Sequence, residues 1–254
     1  MFSVAPMALE TDIPAPPVVD RATWRRRRDE LLVTEKAHTR AGDAIAAARR
    51  RLPMTEVRNV SLDGQHGPTP LLDMFGDHDQ LLTVKHMWHA GEPFENQCEG
   101  CTATIWNFQD PVYLEARGVA FAVWCQGPRS EYEPFRRFMG YTMPWYSVHG
   151  VDEPGVSDGW INAYLRVGST IYQTYDTDGR GSEAMMPAML LADLTVYGRK
   201  ESWEDSPEGW PQPHRASGGS GWWRWEGRPV AQWTRPGVGH GAVVGSDAHD
   251  GHCH

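Results

Sequence analysis

Two kinds of hydrophobic spacing divide this chain. Residues 22–51, ATWRRRRDELLVTEKAHTRAGDAIAAARRR, run without proline and carry aliphatic anchors at Leu31, Leu32 and Ile45, with Leu52 just beyond. That spacing predicts a helix packing by one stripe and ended by Pro53. The run Arg25–Arg28 is followed at once by Asp29, Glu30 and Glu35, so it reads as a solvated face rather than a site for an anion. A polar segment over 57–62, a Gly/Pro turn and LLDMF then predict a peripheral hairpin or connection.

The spacing changes at LLTVKHMW, an apolar run too short for a convincing helix and therefore a core strand. A helix is expected over Thr102–Arg117, with Pro111 as its breaking point. VAFAVWC after Gly118 is a second strand by its β-branched and aromatic content. Glu131–Met139 reads as a short helix closed by Gly140. WYSV, Ala163–Val167 and Thr170–Tyr175 are further strands, the last two joined as a hairpin around Gly168-Ser169. Ala184–Leu194 adds one more helix. Strand, helix, strand, helix and hairpin in that order predict an α/β sheet with helices on its faces. The expected organisation is a flexible leader over 1–20, one domain over 21–235 and a flexible His-rich tail over 236–254.

Composition narrows the function. The 254 residues are 40% hydrophobic and 22% charged, as for a globular chain with a sizeable core. A net charge of -9 argues against a general nucleic-acid binder, which needs a basic surface. No apolar run approaches the ~20 residues that span a bilayer, and residues 1–20 lack the pattern of a secretory signal. The expectation is a cytoplasmic protein with no membrane or nucleic-acid partner, a small-molecule or thiol substrate, and a possible homo-oligomeric state. In that compartment a close cysteine pair points to redox or metal chemistry rather than to a structural bridge.

The pair is Cys98-Glu99-Gly100-Cys101, reached by a strand and standing where a helix begins. Positions i and i+3 on a first helical turn put both sulfurs on one face. The helix N-terminus favours a thiolate there, lowering the pKa of the leading cysteine below ~8.5, while Glu99 opposes that effect. Asn96 and Gln97 can supply caps or hydrogen bonds. A dithiol cycling with a disulfide needs only this pair and a partner thiol, and no cofactor. Here Cys98 attacks, Cys101 resolves, and His86 tunes or shares the proton.

A metal site needs more. His86 and His89 supply imidazoles, and thiolate with imidazole suits copper or zinc. Side chains three apart on a continuous strand face opposite ways, so the histidines converge only if the strand ends near Met87-Trp88. The set Cys98, Cys101, His86 and His89 is thus a candidate metal centre, open to oxygen activation on a small molecule or to metal carriage. Cys125 ends the neighbouring strand and should emerge beside His86, as a resolving thiol, a third sulfur or a plain buried side chain. His149 follows WYSV towards the same edge. In GRKESWEDSPEGWPQ, the carboxylates of Glu201, Glu204 and Asp205 and the rings of Trp203 and Trp210 read as a lid capping backbone groups, or as pocket walls. The tail holds His240, His249, His252, Cys253 and His254, a tract able to chelate metal. Nucleotide-binding and esterase motifs are missing.

Several of these pieces, in the same order, resemble one family. LLVTEKAHTR with ARRRLPM, VKHM followed by CEGC, FRRFMGYTMPWYSV, and GRKESWEDSPEGWPQ are similar to the thioredoxin-like proteins catalogued as domain of unknown function 899, over residues 30–223. The resemblance implies a thioredoxin-like mixed sheet flanked by helices, here with an N-terminal helical extension and an irregular Trp-rich C-terminal wrap. Sco-type copper proteins hold copper through a cysteine pair and a distant histidine on that fold, an analogy of fold alone. The chain departs from the family pattern at His89, at Trp124-Cys125 and in its tail.

Overall fold

A computed structural model describes residues 14–199, 201 and 203–210. It also gives the backbone of four two-residue strands, Arg215–Ala216, Gly219–Ser220, Arg224–Trp225 and Arg228–Pro229. The tail histidines and Cys253 lie outside the described residues. The chain forms two compact units, Met1–Leu52 with Ala192–Pro213, and Pro53–Leu191 with His214–His254.

In the first unit, helix α1 (Arg21–Arg49) starts at Asp20, whose carboxylate accepts the Thr23 N–H at 2.9 Å. No residue of α1 is buried. Leu31 and Ile45 are 55% and 53% exposed, and Leu32 is half-buried. The expected packing stripe is therefore not realised. Four successive arginines and a C-terminal half of small alanines leave too little bulky apolar surface, and the Arg27–Glu30 and Arg28–Glu35 pairs run along the helix instead. In the same unit Glu204 accepts the backbone N–H groups of Arg199 and Glu201 at 2.9 and 2.8 Å, closing a local turn. The Tyr197 hydroxyl donates to the Pro14 carbonyl.

The second unit is built on an eight-stranded sheet. Its strands are β1 (Thr55–Val57), β2 (Ser61–Gly64), β3 (Gly67–Pro70), β4 (Gln80–His86), β5 (Val119–Cys125), β6 (Trp145–Ser147), β7 (Ile161–Val167) and β8 (Thr170–Thr177). Their spatial order is β1-β8-β7-β4-β5-β6-β2-β3. Strands β4, β5 and β6 are parallel, while β7 runs antiparallel to both β4 and β8. The helices are α2 (Glu99–Phe108) and α3 (Val112–Glu115) between β4 and β5, α4 (Arg129–Met139) between β5 and β6, α5 (Pro154–Ser157) before β7, and α6 (Pro187–Ala192) after β8. A β4-α2-β5 crossover carries a dithiol after its first strand, and the β7–β8 hairpin lies on the other side of β4. The fold class is that of a mixed sheet with flanking helices.

Several boundaries have visible causes. The helix expected over Thr102–Arg117 is broken at Gln109, whose φ of 59° is the only positive value among non-glycine residues described, and Pro111 follows. LLDMF forms a short 3-10 turn, and the hairpin beside it is β2–β3, turning at Gln65-His66. Residues Thr55–Val57 instead pair with β8 at the sheet edge. Gly140 ends α4 in the left-handed conformation at φ 68°, where a Cβ would be strained.

Alternation along the strands fills two cores, one per face. Val84, Phe121, Val123, Cys125, Phe135, Tyr141 and Trp145 belong to one. Leu81, Ala120, Ala122, Trp124, Tyr164 and Ile171 belong to the other. Because both faces are covered, β4 and β5 read as apolar runs rather than alternating ones.

Candidate functional site

Strand β4 ends at His86, and residues 87–98 cross the end of the sheet before α2 begins. Cys98 is the residue at the helix start, with φ -50° and ψ 109°, and its sulfur accepts the Cys101 N–H at 3.4 Å. A thiol thus takes the place that a serine or aspartate oxygen fills in ordinary capping. The Cys101 sulfur accepts the Met87 N–H, also at 3.4 Å. Each sulfur of the pair therefore meets one backbone donor, from the helix turn and from the strand end respectively. Both side chains are buried, Cys98 at 5% and Cys101 at 2% exposure, and both are free cysteines.

His86 lies fully buried on the same face. Its Nδ1 is 2.7 Å from the Met87 carbonyl oxygen, which can only accept, so Nδ1 carries the proton and Nε2 the lone pair. The group nearest Nε2 is Thr102 Oγ1 at 3.4 Å. That hydroxyl has one proton and donates it to the Cys98 carbonyl at 2.8 Å. The Nε2 lone pair is left with a weak partner. Burial, chiefly, pulls the imidazole down from 6.5 to about 4, so His86 is neutral near pH 7 and supplies no cation to a thiolate. The rings of Trp145, Phe135 and Trp88 surround it at 5.3, 5.4 and 6.0 Å.

The loop over the site is held by two side chains. Gln97, fully buried, donates to the carbonyls of His89 and Glu92 and accepts the His89 N–H. Glu131, in the first turn of α4, accepts the Trp88 indole N–H at 2.7 Å and the Gly91 N–H at 3.3 Å. Gly127 leaves room for that indole, since a Cβ there would collide with the Trp88 ring. Cys125 pairs with His86 in the parallel register, as its place at the strand end suggested. It is fully buried, and burial drives its thiol up from 9.0 to about 12. Cys125 is thus a protonated core side chain at neutral pH.

The strand ends where convergence of His86 and His89 requires, but a metal centre is not assembled. Among the described residues no three His, Cys, Asp or Glu side chains gather as ligands. His86 keeps Nδ1 on Met87, and His89 is fastened through its backbone to Gln97. The Met87 contact leaves Nε2 as the His86 nitrogen open to a metal, and the Gln97 contacts hold the His89 backbone rather than its ring. His149 is exposed, with Nδ1 3.2 Å from the Gln126 carbonyl. Glu204, among the acids of the C-terminal signature, is occupied by backbone N–H groups. Thr102 and Glu131 escaped the sequence reading. A threonine four residues past a helix-starting cysteine is a recognisable back-bonding position, whereas Glu131 reaches the loop only through the fold.

Among solved structures, the chain is similar to the peroxidoxin BcpB from Mycobacterium tuberculosis, 16% identical, covering 54% of this chain and 97% of that one, with a TM-score of 0.35. BsSco, a member of the Sco family of cytochrome c oxidase assembly proteins, is 13% identical over 57% of this chain and 97% of that one, with a TM-score of 0.31. No curated protein matches the sequence. No described helix is long and apolar enough to cross a membrane. A family model described as bacterial protein of unknown function (DUF899) matches residues 13–228, and the chain belongs to that family.

Proposed function

We propose that this protein is a dithiol–disulfide redox protein in which Cys98 is the attacking thiolate and Cys101 the resolving thiol. The observation that carries the reading is the pair of backbone donors, the Cys101 N–H on the Cys98 sulfur and the Met87 N–H on the Cys101 sulfur. Negative charge on either sulfur is met by a fixed dipole, so each can act in turn as nucleophile. Cys98 stands at the start of α2 and Cys101 one turn in, which suits the first for attack and the second for resolution.

In the first step the Cys98 thiolate attacks one sulfur of a disulfide RS–SR. An S–S bond forms between Cys98 and that sulfur, and the other leaves as RS⁻. Cys101, deprotonated, then attacks Cys98, releasing the second RS⁻ and closing the Cys98–Cys101 bond. Two electrons pass from the protein to RS–SR. Thr102 holds the Cys98 carbonyl during this exchange, and neutral His86 is an acceptor beside it rather than a counter-ion.

The test is thiol titration of the full chain across a series of dithiothreitol redox buffers, with peptide mapping of the oxidised form. A single two-electron transition that joins Cys98 to Cys101 is expected, and Cys98→Ser abolishes both the transition and the reduction of small disulfides. Full disulfide reductase activity in Cys98→Ser would end this reading.

A further inference from the structure

Cys98 is held on one side by a helix and on the other by a loop. Its carbonyl oxygen accepts the Thr102 N–H at 3.0 Å and the Thr102 hydroxyl at 2.8 Å, so its C-terminal side belongs to the first turn of α2. Its N-terminal side continues the loop over 87–97, which contains the 3-10 turn Phe94–Asn96. The residue on that side is Gln97, a polar side chain with no exposed surface. Its amide nitrogen donates to the His89 and Glu92 carbonyls, both at 2.9 Å, and its Oε1 accepts the His89 N–H at 3.0 Å. The carbonyls can only accept and the N–H can only donate, which leaves the amide one orientation. Both amide protons are used, and the loop closes on the side chain of the residue that leads into Cys98.

The two ends of this loop carry the surroundings of both sulfurs. Met87, at one end, donates its N–H to the Cys101 sulfur, and Cys98, at the other, accepts the Cys101 N–H on its own sulfur. His89 lies two residues past Met87, and Gln97 stands just before Cys98. The paired contact between His89 and Gln97 therefore fixes the spacing of the two ends. Closing a disulfide needs sulfurs at ~2 Å within a narrow range of dihedral angles. Cys101 is placed by the helix, whereas freedom on the N-terminal side of Cys98 lowers the effective concentration of one sulfur at the other. We propose that Gln97 is a positioning residue of the dithiol, whose three hydrogen bonds hold Cys98 where Cys101 can resolve it. This inference rests on the dithiol reading above and concerns its second step, in which Cys101 attacks Cys98 and the bound partner leaves as RS⁻.

Gln97→Met keeps the length of the side chain and removes all three hydrogen bonds. The reduced full-length protein is mixed with dithiobis(nitrobenzoate), an aromatic disulfide that releases one coloured thiolate when Cys98 attacks and a second when Cys101 displaces the other half. In the variant the first phase should stay within about twofold of the parent and the second should slow about tenfold. The midpoint potential in dithiothreitol buffers should rise by about 30 mV, which is a tenfold loss of disulfide stability. Lys85→Ala, on the opposite face of β4, controls for lost stability and should move neither quantity. Gln97→Glu supplies a rescue, because a protonated carboxyl can donate to one carbonyl while accepting the His89 N–H. Its second phase, as a ratio to the parent at the same pH, should recover as pH falls. The unaltered chain keeps the test decisive if both variants misfold, since the His89 amide should exchange slowly with deuterium in the reduced and the oxidised protein alike. A second phase or a potential that stays at the parent value in folded Gln97→Met, or a His89 amide that exchanges freely, would overturn the role of Gln97 while leaving the dithiol chemistry intact. A parent chain that releases no second thiolate and shows no two-electron transition would instead remove the dithiol reading, and this inference with it.

Discussion

On one face of β4, Lys85 is buried with its ammonium donating to the carbonyls of Ser157 and Asp158. On the other face, one residue further on, His86 is buried with one nitrogen committed to Met87 and the other facing a hydroxyl whose proton is turned elsewhere. Both groups pay for desolvation with a lowered pKa, Lys85 from 10.5 to about 8 and His86 from 6.5 to about 4. The difference lies in what surrounds them. Lys85 ties α5 to the sheet, with Trp124 beside it in the parallel register. His86 sits against the first turn of α2 through Thr102, among the rings of Trp145, Phe135 and Trp88. One face fixes the sheet's far side and the other carries the sulfur chemistry, so substitutions on the two faces should separate stability from redox behaviour.

Lys85→Ala gives the largest effect on that comparison. It removes a long buried side chain and two charge-assisted hydrogen bonds, and should destabilise the fold by about 3 kcal/mol. Urea unfolding measures the loss. The midpoint potential of Cys98 and Cys101, read under conditions where the variant is folded, should stay within error of the parent. A shifted potential would mean that the two faces are not independent.

How much of this could be read from the chain follows from which interactions are local. Strand β4, the β7–β8 hairpin at Gly168, the close of α4 at Gly140 and the placing of a dithiol at the head of α2 all rest on short-range signals, and the sequence carries them. Cys125 beside His86 was legible too, because parallel strands that end together align their last residues. The stripe on α1 misled because aliphatic spacing says where a face is, not whether anything covers it. For the four-ligand metal set, spacing alone cannot show that Met87 takes His86 Nδ1, leaving Nε2 as the lone-pair nitrogen, or that Gln97 fastens the backbone of His89. Thr102 and Glu131 act across turns and between elements, and only the folded arrangement shows them at the site.

The histidine face can be tested by pH alone. The folded-state pKa of His86 lies below its unfolded value, so the unfolded chain binds the extra proton first as pH falls. Its contribution to stability is therefore whole above about 6.5 and is lost on the way down to about 4. With the values of 6.5 and about 4, the loss between pH 7 and pH 5 is about 2 kcal/mol from this one group. Urea midpoints measured across that range should fall accordingly, and His86→Asn should remove most of the slope. Lys85 contributes in a different window, since its depressed pKa makes stability rise with pH between about 8 and 10.5. A slope below pH 7 that persists in His86→Asn would show that another group carries it.

The smallest effect separates the sulfurs on the chemical face from one another. Cys125 shares that face with Cys98 and Cys101 and stands in register with His86, yet its thiol is sealed and pushed up to about 12. Only a thiolate attacks a disulfide at a useful rate, and at pH 7 the thiolate fraction of such a group is negligible. Cys125→Ala should therefore leave the midpoint potential and the exchange rates of the dithiol unchanged, while the lost sulfur volume costs about 1 kcal/mol in urea unfolding. A Cys125→Ala variant whose oxidised form no longer joins Cys98 to Cys101, or whose potential moves, would place the third sulfur inside the redox cycle. The contrast between Cys125, which burial keeps protonated, and the pair at the head of α2 would then fail.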